Sequence, residues 1–198
     1  MRSDQFKTQR SHLLRKLKEM NIDRKIRNVI VNVVKRHKFI PLENGLYHPD
    51  SYGNHPLSIG YNQTISQPFI VGYMIQLLRL ADNQPLSVLE IGTGLGYNAA
   101  VISKLIPLGH VYSIEIKECL CFTAGLFFCK NRDKYPNITV RCGDGYHGWR
   151  GQYPKKTRFD RIIITASTRP HQLNNVLKQL KRNGVLIVPL EKDEVNTH

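Results

Sequence analysis

From Leu86 onward the chain alternates short apolar runs with amphipathic stretches, and that alternation constrains the fold more than any other feature. The apolar runs are 87–91, 110–116, 138–142, 159–165 and 185–190, with helical periodicity over 97–106, 118–131 and 171–180 between them. Runs apolar on both faces read as strands of a sheet covered on both sides. Helical segments between successive strands make βαβ units, which require parallel pairing. The reading is therefore α/β, a mostly parallel twisted sheet with helices on both faces.

Upstream, Leu13, Leu14, Leu17 and Met20 form one apolar stripe, and Ile26, Val29, Ile30, Val33 and Val34 form another. They predict two helices that cap the sheet, turned at Asn21, a residue tolerant of left-handed geometry. Residues 42–65 are polar and turn-rich, but Leu57, Ile59 and Ile65 need burial, so an ordered loop is expected. A helix follows Ser66, with Pro68 in its first turn. At 198 residues and 22.8 kDa the chain suits a single domain. In it, 1–66 supply N-terminal helices and a substrate-side loop, and 67–198 supply the cofactor-binding core.

Twenty-nine Lys and Arg against fifteen Asp and Glu give a net charge of +14, concentrated in 1–40 and 150–182. Such a balance favours acidic partners by steering, but solvated basic helix faces account for it equally. No apolar run approaches the ~18 residues of a bilayer span, so no membrane association is expected. Cys119, Cys121, Cys129 and Cys142 lack the Cys-x-x-Cys spacing of a zinc site. Free thiols and a cytoplasmic location are the default, because a domain of this size needs no disulfide framework. The basic, acid-poor start has a faint likeness to a transit peptide, and no secretory signal is visible. His37, His48, His55 and His147 show no metal-ligand spacing, so no metal is expected. Trp149 is expected to pack near the pocket, and Lys155, Lys156 and Arg158 to lie in a solvated loop.

Chemistry concentrates at Val88-Leu89-Glu90-Ile91-Gly92-Thr93-Gly94-Leu95-Gly96-Tyr97. A buried strand runs into a glycine-rich turn that opens a helix, which lets backbone approach a ligand. The dinucleotide fingerprint needs glycine at 97, where this chain has Tyr. Gly-x-Gly-x-Gly with Glu90 at the strand end points instead to a cofactor without phosphates, such as S-adenosyl-L-methionine. Glu115, nineteen residues past Gly96, stands where a carboxylate accepts hydrogen bonds from ribose hydroxyls. Gly143-Asp144-Gly145 follows the third strand, and Asp144 could meet an adenine amino group. Each feature also has a plainer reading: a tight turn, a solvated carboxylate, and an Asp-Gly turn.

Together with Asn62-Gln63-Thr64-Ile65-Ser66-Gln67-Pro68, Arg36-His37-Lys38-Phe39-Ile40-Pro41, Pro56-Leu57-Ser58-Ile59-Gly60 and Trp149, these motifs resemble the protein-L-isoaspartate (D-aspartate) O-methyltransferase family over about residues 13–189. The segment 63–68 is the most family-specific. The resemblance implies a Rossmann-like S-adenosylmethionine-dependent methyltransferase fold with an N-terminal helical cap. It implies methyl transfer to the free α-carboxylate of L-isoaspartyl residues in damaged proteins and peptides, with S-adenosyl-L-homocysteine as product. The ester then closes to a succinimide, because methanol leaves more readily than hydroxide, and hydrolysis returns part of it to aspartate. By the same resemblance Ser66 is the active-site residue, orienting carboxylate or cofactor; on residues alone it could equally cap the following helix. The implied cofactor set is Gln63, Thr64, Ile65, Ser66, Glu90, Gly92, Thr93, Gly94, Gly96, Glu115, Ile116, Gly143 and Asp144.

The family continues past the Leu-Ile-Val-Pro strand into two further strands, whereas this sequence stops at His198. It is thus short at the C-terminus beside the family: either the sequence is truncated, or the sheet is expected to end at an exposed edge. Arg182-Asn183-Gly184 stands where the family has Gly-Gly, and Asn183 can adopt the same left-handed backbone. Two other readings remain: a methyltransferase acting on another peptide carboxylate or on RNA, and a non-catalytic homologue. Nucleic acid is not expected, since no basic, aromatic-rich stacking motif is present. A monomer is expected.

Overall fold

The computed structural model describes residues 5–150 and 158–191; Lys155 and Lys156 of the basic loop lie outside the described residues. Helix α1 (Lys7–Glu19) docks through Leu13 and Leu17, both buried, and leaves its basic face in solvent. The chain turns at Asn21 with φ 59°, as its side chain permits. Helix α2 (Arg24–Asn28) begins at Asp23, whose carboxylate accepts the N–H groups of Lys25 and Ile26. The expected second helix stops short here. Val29–Val33 widen into a π-helical turn, where the crowded β-branched run 29–34 resists regular α packing. A 3-10 turn, Arg36–Phe39, follows.

The expected ordered loop contains an antiparallel hairpin, β1 (Leu57–Gly60) and β2 (Gln63–Ile65). Tyr61 and Asn62 form its tip with φ of 54° and 57°, the two positive values that a tight hairpin turn demands. Helix α3 (Pro68–Leu77) comes next. Then follow β3 (Ser87–Ile91), α4 (Tyr97–Leu105), β4 (His110–Glu115), α5 (Glu118–Lys130), β5 (Ile138–Cys142), β6 (Phe159–Ile164), α6 (Asn174–Leu177) and β7 (Leu180–Ile187).

The last five strands form one parallel sheet in the order β5-β4-β3-β6-β7. Buried side chains fall into two clusters. The larger joins α1, α3, α4 and α5 to the sheet, and the smaller gathers Leu89, Trp149, Phe159, Ile162 and Val176. Trp149 is buried against Tyr112 in the smaller cluster, a packing residue as expected.

Two boundaries differ from the sequence reading. The expected helix over 171–180 is a 3-10 turn, Pro170–Leu173, plus the four-residue α6, and the strand expected over 185–190 starts at Leu180. Leu180 pairs with Phe159 and Val185 with Arg161. The 182–184 segment is absorbed as an irregularity inside the strand, with Asn183 at φ 62°.

The cysteine expectation is overturned in one respect: Cys121 and Cys142 form a disulfide, with Cα atoms 5.5 Å apart, while Cys119 and Cys129 remain free and exposed. The first turns of α5 lie along β5, so residues 21 apart in sequence become neighbours. Counting cysteines reads spacing, not this tertiary adjacency. Among the described residues no helix is long and apolar enough to cross a membrane.

Candidate functional site

Strand order reverses beside β3: one crossover leads to β4 and β5, and the later return places β6 on the other side. Open α/β sheets hold ligands outside the carboxyl ends of their strands at such a switch. A cavity of about 320 Å³ lies there, within the range of small-molecule sites. The turn after β3 lines one wall, together with Glu115 and Ile116 from the end of β4 and Asp144 from the turn after β5. The segment 62–66, from the hairpin tip to Ser66, lines the cavity as well.

The glycine turn is held by backbone bonds. Gly92 N–H donates to Ile114 O at 2.8 Å, and Gly96 N–H to Thr93 O at 2.8 Å. Gly94 N–H donates to Glu115 Oε2 at 2.7 Å, and Lys117 N–H donates to Glu115 Oε1 at 2.9 Å. Glu115 is thereby oriented at the cavity while each oxygen keeps acceptor capacity for a ligand hydroxyl. Asp144 accepts the Tyr146 N–H at 2.9 Å and stays solvent-exposed.

Ser66 lies between β2 and α3. The N-cap of α3 is Gln67, with no side-chain capping bond, so capping does not occupy the Ser66 hydroxyl. That hydroxyl is bonded to no described residue. Ser66 lines the same cavity as the glycine turn.

Of the expected cofactor residues, Gln63, Thr64, Ile65, Ser66, Gly92, Thr93, Gly94, Glu115, Ile116 and Asp144 line the cavity; Glu90, Gly96 and Gly143 do not. Glu90 is turned beneath the turn and fully buried. Its carboxyl accepts Asn98 Nδ2 at 2.7 Å and the Ser113 hydroxyl, which also meets Thr93 Oγ1 at 2.6 Å. Burial pushes it up to about 7 against the pull of those bonds, with the Glu115 charge adding to the rise. Gly96, at φ 95°, opens α4 against α5. A Cβ there would sit 2.6 Å from the Phe128 ring. It is Gly145, not Gly143, that brings the turn after β5 against the sheet, because a Cβ on Gly145 would collide with Ile91 Cγ2.

Sequence reasoning did not single out Phe39, Ile59, Tyr146, Thr165 and Ala166 as lining residues. The signal for the last two was available: they directly follow β6, the strand beside β3. Among the described residues no cluster of three His, Cys, Asp or Glu side chains is placed to hold a metal ion. His55 is bonded to Asp50, which raises it from its ordinary value.

The profile of the protein-L-isoaspartate (D-aspartate) O-methyltransferase family matches residues 8–197. The chain belongs to this family. A relative named protein-L-isoaspartate O-methyltransferase 2 from Syntrophobacter fumaroxidans is 45% identical over 157 residues, 79% of this chain and 58% of the relative. One of the same name from Shewanella sediminis is 46% identical, over 79% of this chain and 59% of its own length. The chain thus spans under two thirds of the length of these isoaspartate methyltransferases. A solved protein-L-isoaspartate O-methyltransferase superposes with a TM-score of 0.74 at 28% identity, covering 91% of this chain and 55% of that one. A Plasmodium falciparum protein assigned to the same activity, solved with S-adenosyl-L-homocysteine, gives a TM-score of 0.74 at 22% identity, covering 92% and 84%; it speaks for the fold.

Proposed function

We propose that this chain methylates the α-carboxylate of L-isoaspartyl residues in proteins and peptides, using S-adenosyl-L-methionine. One observation carries the reading: Ser66, whose hydroxyl is unbonded, and the Glu115-braced glycine turn line one cavity at the carboxyl edge of the sheet. The residues fit the cofactor's chemistry. Glu115 suits ribose hydroxyls, Asp144 an exocyclic amine, and exposed Ile116 the face of a purine.

When bound, the cofactor supplies a methyl group made electrophilic by its sulfonium. The acceptor is already an anion, so the protein need not remove a proton. Ser66 donates a hydrogen bond to one carboxylate oxygen and leaves the other free to attack. That free oxygen would take the methyl group the cofactor supplies, with the electron pair of the broken C–S bond left on sulfur. Ile59, Ile65 and Phe39 close the apolar side of the cavity, excluding water that would solvate the attacking oxygen. Holding the partners in line supplies the catalysis, and good alignment is worth several kcal/mol, up to about 7–11.

The test is incubation with methyl-labelled S-adenosylmethionine and a matched pair of peptides, isoaspartyl and aspartyl. Base-labile label on the isoaspartyl peptide alone is expected. Label on neither, from folded chain, refutes the reading, and label on both refutes the specificity.

A further inference from the structure

Arg36 is a fully buried guanidinium with no carboxylate against it. Asp50, the acid whose charge acts on it, is bonded to His55 instead. The hydrogen bonds of Arg36 all go to backbone: Nη1 donates to Ser51 O at 2.7 Å, and Nη2 donates to His55 O at 3.1 Å and to Ser66 O at 3.2 Å, while Nε has no partner. Ser51 and His55 precede β1 of the hairpin, and Ser66 follows β2. One side chain therefore ties both feet of the hairpin whose strands and tip carry Asn62, Gln63 and Thr64 to the cavity wall. Asn54 adds a smaller brace on the same feet, accepting Gln67 Nε2 and Phe69 N–H, each at 2.9 Å.

A buried cation without an ion pair is costly, and burial lowers this group from its ordinary value. A hydrophobic side chain of similar volume would fill the space without that cost. A planar fork of five donors has one property an apolar side chain or a lysine lacks: it fixes several acceptors at set angles.

We propose that Arg36 is a positioning residue, its guanidinium setting the backbone of Ser66, and so the Ser66 hydroxyl, against the acceptor carboxylate. The proposal rests on the methyltransfer reading above for its kinetic consequence, but the clamp itself can be tested without it.

In R36K, which keeps the charge and loses the fork, kcat for the isoaspartyl peptide falls about tenfold or more, because a misplacement near 1 Å can cost up to about a hundredfold. The Kd for S-adenosyl-L-homocysteine, which Glu115 and the glycine turn hold as well as the hairpin segment, rises by a much smaller factor than kcat falls. Hydrogen exchange accelerates over 55–66 and not in β3, β4 or β6, as local opening predicts. A merely structural role would instead weaken cofactor binding and sheet protection together with kcat. That result, or unchanged kcat, overturns the proposal. If the unaltered chain transfers no methyl group, the methyltransfer reading fails on its own, and exchange over 55–66 decides the clamp: local acceleration in R36K supports it and unchanged exchange overturns it. Should R36K not fold, the unaltered chain labelled with 15N-arginine serves. Slow solvent exchange of the Arg36 Nη protons supports the clamp, and exchange as fast as that of exposed arginines overturns it.

Discussion

Glu90 gives the sharpest test of how the floor beneath the glycine turn is built. Its carboxyl is wholly enclosed and bonded to Asn98 and Ser113, and burial raises it from 4.5 to about 7. The sign follows from proton counts. Below pH 4.5 the group is protonated in both folded and unfolded chains and contributes nothing. Between 4.5 and about 7 the unfolded chain has released its proton while the folded chain retains it, so stability falls as pH rises. Above about 7 both are ionised and the loss is complete. At about 1.4 kcal/mol per pH unit of displacement, the full loss is about 3 kcal/mol. Glu90→Gln cannot ionise, and its amide can keep a partner in both Asn98 and Ser113. Urea unfolding of both proteins from pH 4.5 to 8.5 reads the effect as a difference, because the substitution removes the ionisation of Glu90. The variant should gain about 3 kcal/mol on the unaltered chain across that range. A stability difference that stays constant with pH would show that Glu90 is not held as described, and the reasoning would fall.

Gly96→Ala combines a left-handed backbone with a Cβ 2.6 Å from the Phe128 ring; strain and overpacking together should cost roughly 2–4 kcal/mol in denaturant melts, and a loss below about 1 would contradict the packing. Asp160 is driven upward by burial, but Lys181 and both donors of Ser87 outweigh this and hold it at about 2. Its stabilisation is complete above 3.8 and is lost as pH falls through about 2. Asp160→Asn should therefore be less stable at pH 7 by about 1–3 kcal/mol, with the gap closing towards pH 2; a gap independent of pH would refute this. Ser66→Ala should lower kcat for the isoaspartyl peptide about tenfold to a hundredfold and leave S-adenosyl-L-homocysteine affinity within about threefold; unchanged kcat would remove Ser66 from the site.

The parallel sheet was legible because short, mainly apolar runs alternate with helical periodicity; β3 and β5 fall on the expected residues. The hairpin was not, since its tip is Tyr61-Asn62 rather than Asn-Gly, and its strands are too short for alternation to register. β7 began early because pairing of Leu180 with Phe159 overrides the helical pattern that runs up to it. At the site, residues following strand ends were readable by position. Glu90 shows the limit of that method: its place in the motif suggested a ligand contact, whereas its rotamer and two short polar neighbours put it under the turn. Arg36, buried in a 3-10 turn far from the glycine motif in sequence, could be connected to Ser66 only through tertiary structure.

The central claim, that this cavity methylates an isoaspartyl carboxylate, is tested most directly by following one isoaspartyl peptide chromatographically with the folded chain and S-adenosylmethionine. Loss of that peptide, transient succinimide, and appearance of its aspartyl isomer are expected only when cofactor is present. Persistence of the isoaspartyl peptide with cofactor bound would contradict the claim.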